Sequence, residues 1–85
     1  MARYELRFKT SVAKDLKGIP KDDVTRLLGR IEALRDDPRP PGSEKLAGQE
    51  SYRVRQGVYR IVYVIDDLSI IVEVVRIGHR REVYR

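Results

Sequence analysis

The segment YRVRQGVYRIVYVIDDLSIIVEVVRIGHRREVYR, residues 52–85, holds most of the β-forming residues of this 85-residue chain. Seven of its residues are arginine and none is lysine. The arginines lie within runs of Val, Ile and Tyr, which favour strands. Arginine is always charged, and its planar guanidinium pairs with two oxygens at once. The segment therefore indicates a sheet that presents arginines to a phosphate.

The same segment divides into three strands, near residues 51–55, 58–65 and 69–77. Gln56-Gly57 and Asp66-Asp67 are the tight connections between them, so neighbouring strands should be antiparallel. The second and third strands are apolar on both faces in places, as expected for central strands with helices over one side. The arginines are then expected to emerge on the opposite face.

The N-terminal half predicts one more strand and two helices. Residues 3–9 alternate between apolar and charged side chains, which is typical of a half-buried strand. A short helix follows, capped by Thr10 or Ser11 and ended by Gly18. From Lys21 onward, apolar residues recur every three or four positions and predict a longer helix: Val24, Leu27, Leu28, Ile31 and Leu34. We expect a single α+β domain over residues 1–85, with the order β-α-α-β-β-β and an antiparallel sheet with two N-terminal helices packed on one face.

The composition narrows the classes of function. The chain has no cysteine and one histidine, which excludes disulfides and cysteine nucleophiles and argues against a metal site. No apolar run approaches the roughly 20 residues of a membrane span, and the N-terminus lacks the apolar core of a signal peptide. We therefore expect a cytoplasmic protein without metal or cofactor. Its net charge of +5 favours a polyanionic partner such as nucleic acid or an acidic protein.

Three arginines around the first tight turn form a candidate phosphate-binding group. Arg53 and Arg55 are two residues apart on one predicted strand, so both side chains leave the same face. Arg60 follows the turn and stands beside them on the neighbouring strand. The group can grip one phosphate; the alternative is a solvated strand face.

Arg76 is a fourth candidate, and its role has two interpretations. It lies in an apolar strand, where an unpaired charge would be costly. It either binds substrate or forms a structural salt bridge with Glu73, Asp66 or Asp67.

The tail after Gly78 combines a near-neutral titrating group, two fixed cations and a phenol: His79, Arg80, Arg81 and Tyr84. RNA cleavage without metal needs a base for the 2′-OH, cations for the crowded phosphate, and an acid or cation for the departing 5′-oxygen. Arginine is a poor base because its pKa lies above about 12. The proton carrier must then be His79, Tyr84, or a group from the substrate or a partner. The alternatives are packing or hydrogen bonding for His79, and base stacking or edge packing for Tyr84.

Two segments resemble a known family: LAGQESYRVRQGVYRIVYVID, residues 46–66, and VVRIGHRREVYR, residues 74–85. With the order of elements and the length, they resemble the RelE/ParE superfamily of toxins from type II toxin–antitoxin systems. The GxYRIVY and HRREVYR segments resemble its RelE branch, the mRNA interferases, which are endoribonucleases that cut mRNA in the ribosomal A site. The resemblance implies metal-independent attack by the 2′-OH, a 2′,3′-cyclic phosphate product, and inhibition of translation.

The resemblance implies roles for the three arginines of the first hairpin. Arg53 and Arg55 match the two basic positions of the family's Y-basic-x-basic strand, and Arg60 matches the arginine of YRIVY. The best-studied RelE pattern has lysines where this chain has Arg53 and Arg55. Phosphate binding, and not proton abstraction, is therefore the role expected of these two positions.

The resemblance also implies roles for the tail. Arg80 or Arg81 matches the basic catalytic position after the glycine, and Tyr84 matches the tyrosine of the terminal EVY. The tail is shorter here between the glycine and the tyrosine, so both arginines remain candidates. His79 is the reserve acid–base candidate.

The family implies partners as well. These are a RelB-like antitoxin that blocks the arginine face, the ribosome with its mRNA, and operator DNA bound by a toxin–antitoxin hetero-oligomer. A disordered acidic or amphipathic segment would suit a basic domain with an exposed sheet edge. Two other functions stay open: a ParE-like, non-enzymatic inhibitor of DNA gyrase, and an inactive toxin that survives as a DNA-binding repressor subunit.

Overall fold

The computed structural model describes residues 3–46 and 50–79, which form two helices and one five-stranded sheet of order β1-β5-β4-β3-β2. The elements are β1 (Glu5–Phe8), α1 (Val12–Lys17), α2 (Lys21–Ala33), β2 (Glu44–Lys45), β3 (Ser51–Gln56), β4 (Tyr59–Asp66) and β5 (Ile71–His79). The predicted α+β class with two N-terminal helices is confirmed. Neither of the helices in these ranges is long and apolar enough to cross a membrane.

The sheet is mixed, whereas the sequence predicted an antiparallel one. β2 to β5 pair antiparallel as expected, but β1 lies parallel to β5, with Leu6 opposite Val72 and Phe8 opposite Val74. The alternation of side chains determines which face each one takes, but it does not determine the direction of the neighbouring strand. The two-residue β2 lies where the sequence predicts a loop, and it extends the order to β-α-α-β-β-β-β.

The two hairpin connections differ in length. Gly57 and Val58 join β3 to β4, and Gly57 has a φ of +60°, the left-handed conformation that such two-residue turns require. The β4–β5 connection spans residues 67–70 and is longer than the predicted Asp66-Asp67 turn. The Asp66 carboxylate accepts a hydrogen bond from the backbone N–H of Ser69 at 3.0 Å, which stabilises this longer loop.

One face of the sheet, called here the helix face, packs against the helices. Leu27 and Ile31 of α2, one helical turn apart, are fully buried, and Val12 of α1 is only 1% exposed. The sheet contributes alternate residues to this core: Tyr52, Val54, Ile61, Tyr63, Ile65, Val72, Val74 and Ile77. The intervening residues of the strands point away from the helices, on what we call the open face.

A β-bulge in β5 changes the alternation of side chains along that strand. Tyr63 pairs with Val74, but the preceding Val62 pairs with Arg76, so Val75 is the extra residue. Without the bulge, the register would place Arg76 opposite Ile61 in the core. With it, Ile77 takes that place and the guanidinium of Arg76 moves to the open face.

Tyr63 connects the core to the proline-rich loop before β2. Its hydroxyl donates a buried hydrogen bond of 2.7 Å to the backbone carbonyl of Pro38, and burial raises its pKa to about 12. Its ring stacks on that of Tyr52 at 6.0 Å between centroids. Arg39 donates to the Tyr52 hydroxyl at 3.0 Å and pairs with Asp67 at 2.8 Å. The loop is thereby held against one end of the sheet.

Candidate functional site

Four arginines from three adjacent strands gather on the open face. Arg55 of β3 lies directly opposite Arg60 of β4, and Arg53 lies opposite Val62, which in turn lies opposite Arg76 of β5. Neighbouring strands in a sheet are about 4.8 Å apart, so residues on one face of paired strands are close neighbours. The structure thus brings together the predicted phosphate-binding residues: Arg53, Arg55, Arg60 and Arg76. We call them the arginine cluster.

The four guanidinium groups differ in exposure. Arg60 is 4% exposed and the Arg53 side chain 14%, whereas Arg55 and Arg76 are exposed. Gly78 lies opposite Arg60 on β5, so no side chain extends over Arg60 from that position. Like charges directly opposite each other destabilise a sheet, which makes the Arg55–Arg60 pair a cost to the fold. The arrangement fits an anion that lies across the strands and accepts hydrogen bonds from the buried guanidinium of Arg60.

Glu44 of β2 belongs to this site, although no pattern in the sequence indicates it. Arg53 Nη2 donates to Glu44 Oε1 at 2.8 Å. That hydrogen bond and the charge of Arg53, followed by the charges of Arg55 and Arg60, hold the pKa of the Glu44 carboxyl below its usual range. The carboxylate therefore senses the positive potential of three of the arginines. In the sequence it looked like an ordinary loop residue, because a two-residue strand leaves no periodic signal.

His79 is not brought to the arginine cluster. It pairs with Tyr59 on β4, whose ring packs against the core, and the two rings meet edge to face at 6.2 Å. His79 lines a cleft of about 300 Å³ together with Asp15 of α1. Asp15 Oδ2 accepts a hydrogen bond of 3.1 Å from the backbone N–H of Ile77 and so joins this cleft to β5. The imidazole lies on the helix-face side of β5, whereas Arg60 points to the open face.

The remaining predicted site residues, Arg80, Arg81 and Tyr84, lie outside the described residues, and their roles stay predictions. Within residues 3–46 and 50–79, no group of three or more histidine, aspartate or glutamate side chains is placed to hold a metal ion. The arginine cluster supplies fixed positive charge and hydrogen-bond donors. It supplies no proton carrier, because a guanidinium keeps its proton at any physiological pH.

Comparison with known proteins identifies the family. A family model described as the ParE toxin of type II toxin–antitoxin systems, parDE, matches residues 6–84. The chain belongs to this family. The match includes both helices and all of the strands from β2 to β5, together with the arginine cluster. This ParE-family protein is therefore the toxin component of a type II toxin–antitoxin system.

Individual relatives connect this ParE-family toxin to RelE. The toxin RelG of Mycobacterium tuberculosis is 32% identical over 90 residues, which cover 96% of this chain and 97% of the relative. A chain of the archaeal RelE–RelB complex from Pyrococcus horikoshii superposes with a TM-score of 0.83 and 26% identity, covering 94% of this chain and 98% of that one. The toxin–antitoxin complex RelBE2 of Mycobacterium tuberculosis gives 0.81 and 27%, with 92% and 99% covered. The predicted RelE/ParE membership and RelE-like fold are confirmed.

Proposed function

We propose that this toxin is a metal-independent endoribonuclease that cleaves mRNA in the ribosomal A site and thereby inhibits translation. The observation that supports it most directly is the arginine cluster, in which Arg60 lies buried between strands that carry Arg55 and Arg76. Attack on an RNA phosphodiester builds negative charge on the phosphate oxygens. Positioned donors in a partly desolvated site stabilise such charge far better than water does. The RelE and RelG names of its relatives favour the same function.

The proposal gives each arginine of the cluster a role. Arg53, Arg55 and Arg60 hold the scissile phosphate and neutralise it, and Arg76 binds the substrate beside them. Arg60 is the most deeply buried of the four, so its position is the most strongly constrained by the surrounding sheet. Before substrate binds, the exposed Glu44 carboxylate occupies Arg53. A phosphodiester, which is also a monoanion, can replace the carboxylate as the acceptor of this charge-assisted hydrogen bond.

Bond making and proton transfer are divided between the cluster and the tail. A bond forms between the 2′-oxygen and phosphorus while the bond from phosphorus to the 5′-oxygen breaks, giving a 2′,3′-cyclic phosphate and a 5′-hydroxyl. One proton leaves the 2′-OH and one reaches the departing oxygen. In this proposal Arg80 or Arg81 stabilises the leaving oxygen, and Tyr84 orients a base or shuttles a proton. His79 remains the reserve acid–base candidate.

The proposal includes the partners expected of such a toxin. A cognate RelB-like antitoxin covers the arginine cluster and suppresses activity in the cytoplasm. The complexes formed by the P. horikoshii and M. tuberculosis relatives support an antitoxin as partner. The ribosome and mRNA are the targets, and a toxin–antitoxin hetero-oligomer binds operator DNA. The net charge of +5 is favourable for each of these largely acidic partners.

The direct experiment incubates the purified toxin with programmed ribosomes and maps the mRNA ends. We expect cuts within the A-site codon, at the same rate with and without EDTA. Arg60→Ala should lower the cleavage rate by about 10²–10³-fold, the usual cost of removing one donor to a developing oxyanion. If toxin that arrests growth in cells leaves the mRNA on programmed ribosomes intact, the proposed nuclease activity is refuted.

Gyrase inhibition is the rival function. The match to a family model named for ParE is the observation that favours it. The order of events after induction in cells separates the two functions. Translation stops first for an mRNA interferase, whereas DNA breaks accumulate first for a gyrase inhibitor.

A further inference from the structure

A basic cleft adjoins the arginine cluster at the β2 edge of the sheet. Its volume is about 410 Å³, and it is lined by Arg30, Gly42, Ser43, Glu44 and Arg55. Arg30 comes from the last turn of α2, far from Arg55 in sequence. Arg55 also lies opposite Arg60 in the arginine cluster. The cleft and the cluster therefore share a residue and form one continuous basic surface.

The two arginines of this cleft differ from most other arginines in the part of the chain that the structure describes. Within residues 3–46 and 50–79, six arginines form ion pairs of 3.2 Å or less with carboxylates: Arg3, Arg7, Arg26, Arg35, Arg39 and Arg53. Arg30 and Arg55, by contrast, form no hydrogen bond or ion pair with any other residue in the described ranges. Arg30 is also half-buried. A half-buried guanidinium without a counter-charge has lost part of its hydration, and a bound anion would compensate for that loss.

The backbone of the cleft leaves room for such an anion. Gly42 has a φ of +93°, a conformation that favours glycine, and a Cβ at this position would lie 3.9 Å from Arg30 Nη2. The Arg30 guanidinium thus lies against a stretch of backbone that carries no side chain. Among the described residues, Glu44 is the one carboxylate of the lining, and it is engaged by Arg53 at 2.8 Å. No described residue of the lining therefore neutralises Arg30.

We propose that Arg30 and Arg55 form a second phosphate subsite, which takes the phosphodiester next to the scissile one in the same RNA strand. The inference rests on the proposed nuclease function and extends it. Arg55 contributes to both subsites, and this places them side by side, as consecutive phosphates of one strand require. The subsite would hold the substrate on both sides of one nucleotide and fix its register over Arg60.

The test compares two non-cleavable ligands that differ by one phosphate: a 2′-O-methyl dinucleotide with one phosphodiester and a trinucleotide with two. Binding is followed by NMR titration of the full chain. We expect the wild type to bind the trinucleotide about tenfold more tightly, the effect of one charge-assisted contact. Only the trinucleotide should shift the amide signals of Gly42 and Ser43.

Arg30→Gln should abolish this gain and leave the affinity for the dinucleotide unchanged. It should also lower the slope of log K against log[salt] for the trinucleotide by about 0.7, the value for one phosphate contact on a single strand. Arg26→Gln is the matched control, because Arg26 lies one turn earlier on α2, pairs with Asp23, and does not line the cleft. Its affinity for both ligands should equal that of the wild type. Thermal unfolding of both variants establishes that they fold.

Three results would overturn the proposed subsite. The wild type could bind the trinucleotide no more tightly than the dinucleotide, Arg30→Gln could keep the full difference in affinity, or Arg30→Gln could lose the same affinity for both ligands. The two proposals fail separately. If the wild type leaves ribosome-bound mRNA intact but Arg30→Gln still loses the gain, the subsite stands and the nuclease is wrong. If the wild type cleaves mRNA and Arg30→Gln retains the gain, the nuclease stands and the subsite is wrong.

Discussion

The two faces of the sheet bury different kinds of residue on the same strands. On β4, Arg60 and Ile61 are neighbours in sequence, and both are almost completely buried, at 4% and 0% exposure. Ile61 points to the helix face, where burial of an apolar side chain stabilises the fold. Arg60 points to the open face, where it lies directly opposite another arginine. Burial alone therefore does not identify the core of this protein.

The contrast separates residues that stabilise the protein from those available for function. On the helix face, polar groups are satisfied internally, as in the hydrogen bond from Tyr63 to Pro38. On the open face, Arg53 is held by an exposed carboxylate, and Arg55 has no ion pair within the described residues. Like charges on directly opposite residues destabilise a pair of strands, and Arg55 and Arg60 are such a pair. Changes on the two faces should therefore have different consequences.

The largest expected difference is between Arg60→Ala and Ile61→Ala. Arg60→Ala should lower the rate of ribosome-dependent cleavage by about 10²–10³-fold, because it removes a donor to the developing oxyanion. Its free energy of unfolding should fall by less than that of Ile61→Ala, because the substitution also removes a charge that lies directly opposite Arg55. Ile61→Ala should lower the free energy of unfolding by about 2–5 kcal/mol and keep the cleavage rate of the folded fraction. Urea denaturation and mRNA end mapping measure the two quantities. If Ile61→Ala folds but does not cleave mRNA, the functional contrast between the two faces is wrong. Ile61→Val is the control, because it removes less of the same buried side chain.

A smaller effect is expected for Tyr63→Phe. The change leaves the buried Pro38 carbonyl without its 2.7 Å donor and should lower the free energy of unfolding by about 1–2 kcal/mol, without an effect on cleavage. The pKa of Tyr63 is raised in the folded state to about 12, from about 10 when unfolded. The contribution of the protonated Tyr63 hydroxyl to the free energy of unfolding is thus fully present below pH 10 and is lost as the pH rises towards 12. Denaturation from pH 8 to 12 should show this loss in the wild type; an identical decline in Tyr63→Phe would contradict it.

The smallest effect is expected for His79→Ala. The imidazole lies on the helix-face side of β5, so its loss should change the cleavage rate by less than about threefold. Arg76→Ala is the matched variant on the same strand, because Arg76 lies on the open face, and it should cost about tenfold through loss of a charge-assisted contact. If His79→Ala alone lowered the cleavage rate more than tenfold and shifted its pH profile, proton transfer would be assigned to His79. Function would then not be confined to the open face.

Part of the site was predictable because strand periodicity is local. Arg53 and Arg55 share a face through their spacing of two, and a tight turn brings Arg60 beside them. Their grouping followed from the sequence, and the structure places them together. Glu44 and Arg30 could not be found in this way. Each reaches the site through contacts between segments distant in sequence, and neither has a pattern of its own.

By itself, the sequence determined the α+β class, the two helices, the central strands and the first three arginines of the cluster, because each depends on the period of side chains within one segment. Only the tertiary structure decided the parallel direction of β1, the short β2, and the face of Arg76 and His79. Strand direction depends on partner choice, and a single bulge at Val75 shifts the alternation of every residue that follows it. The same long-range packing placed Arg30 beside Arg55 and so created a basic surface wider than the sequence indicated.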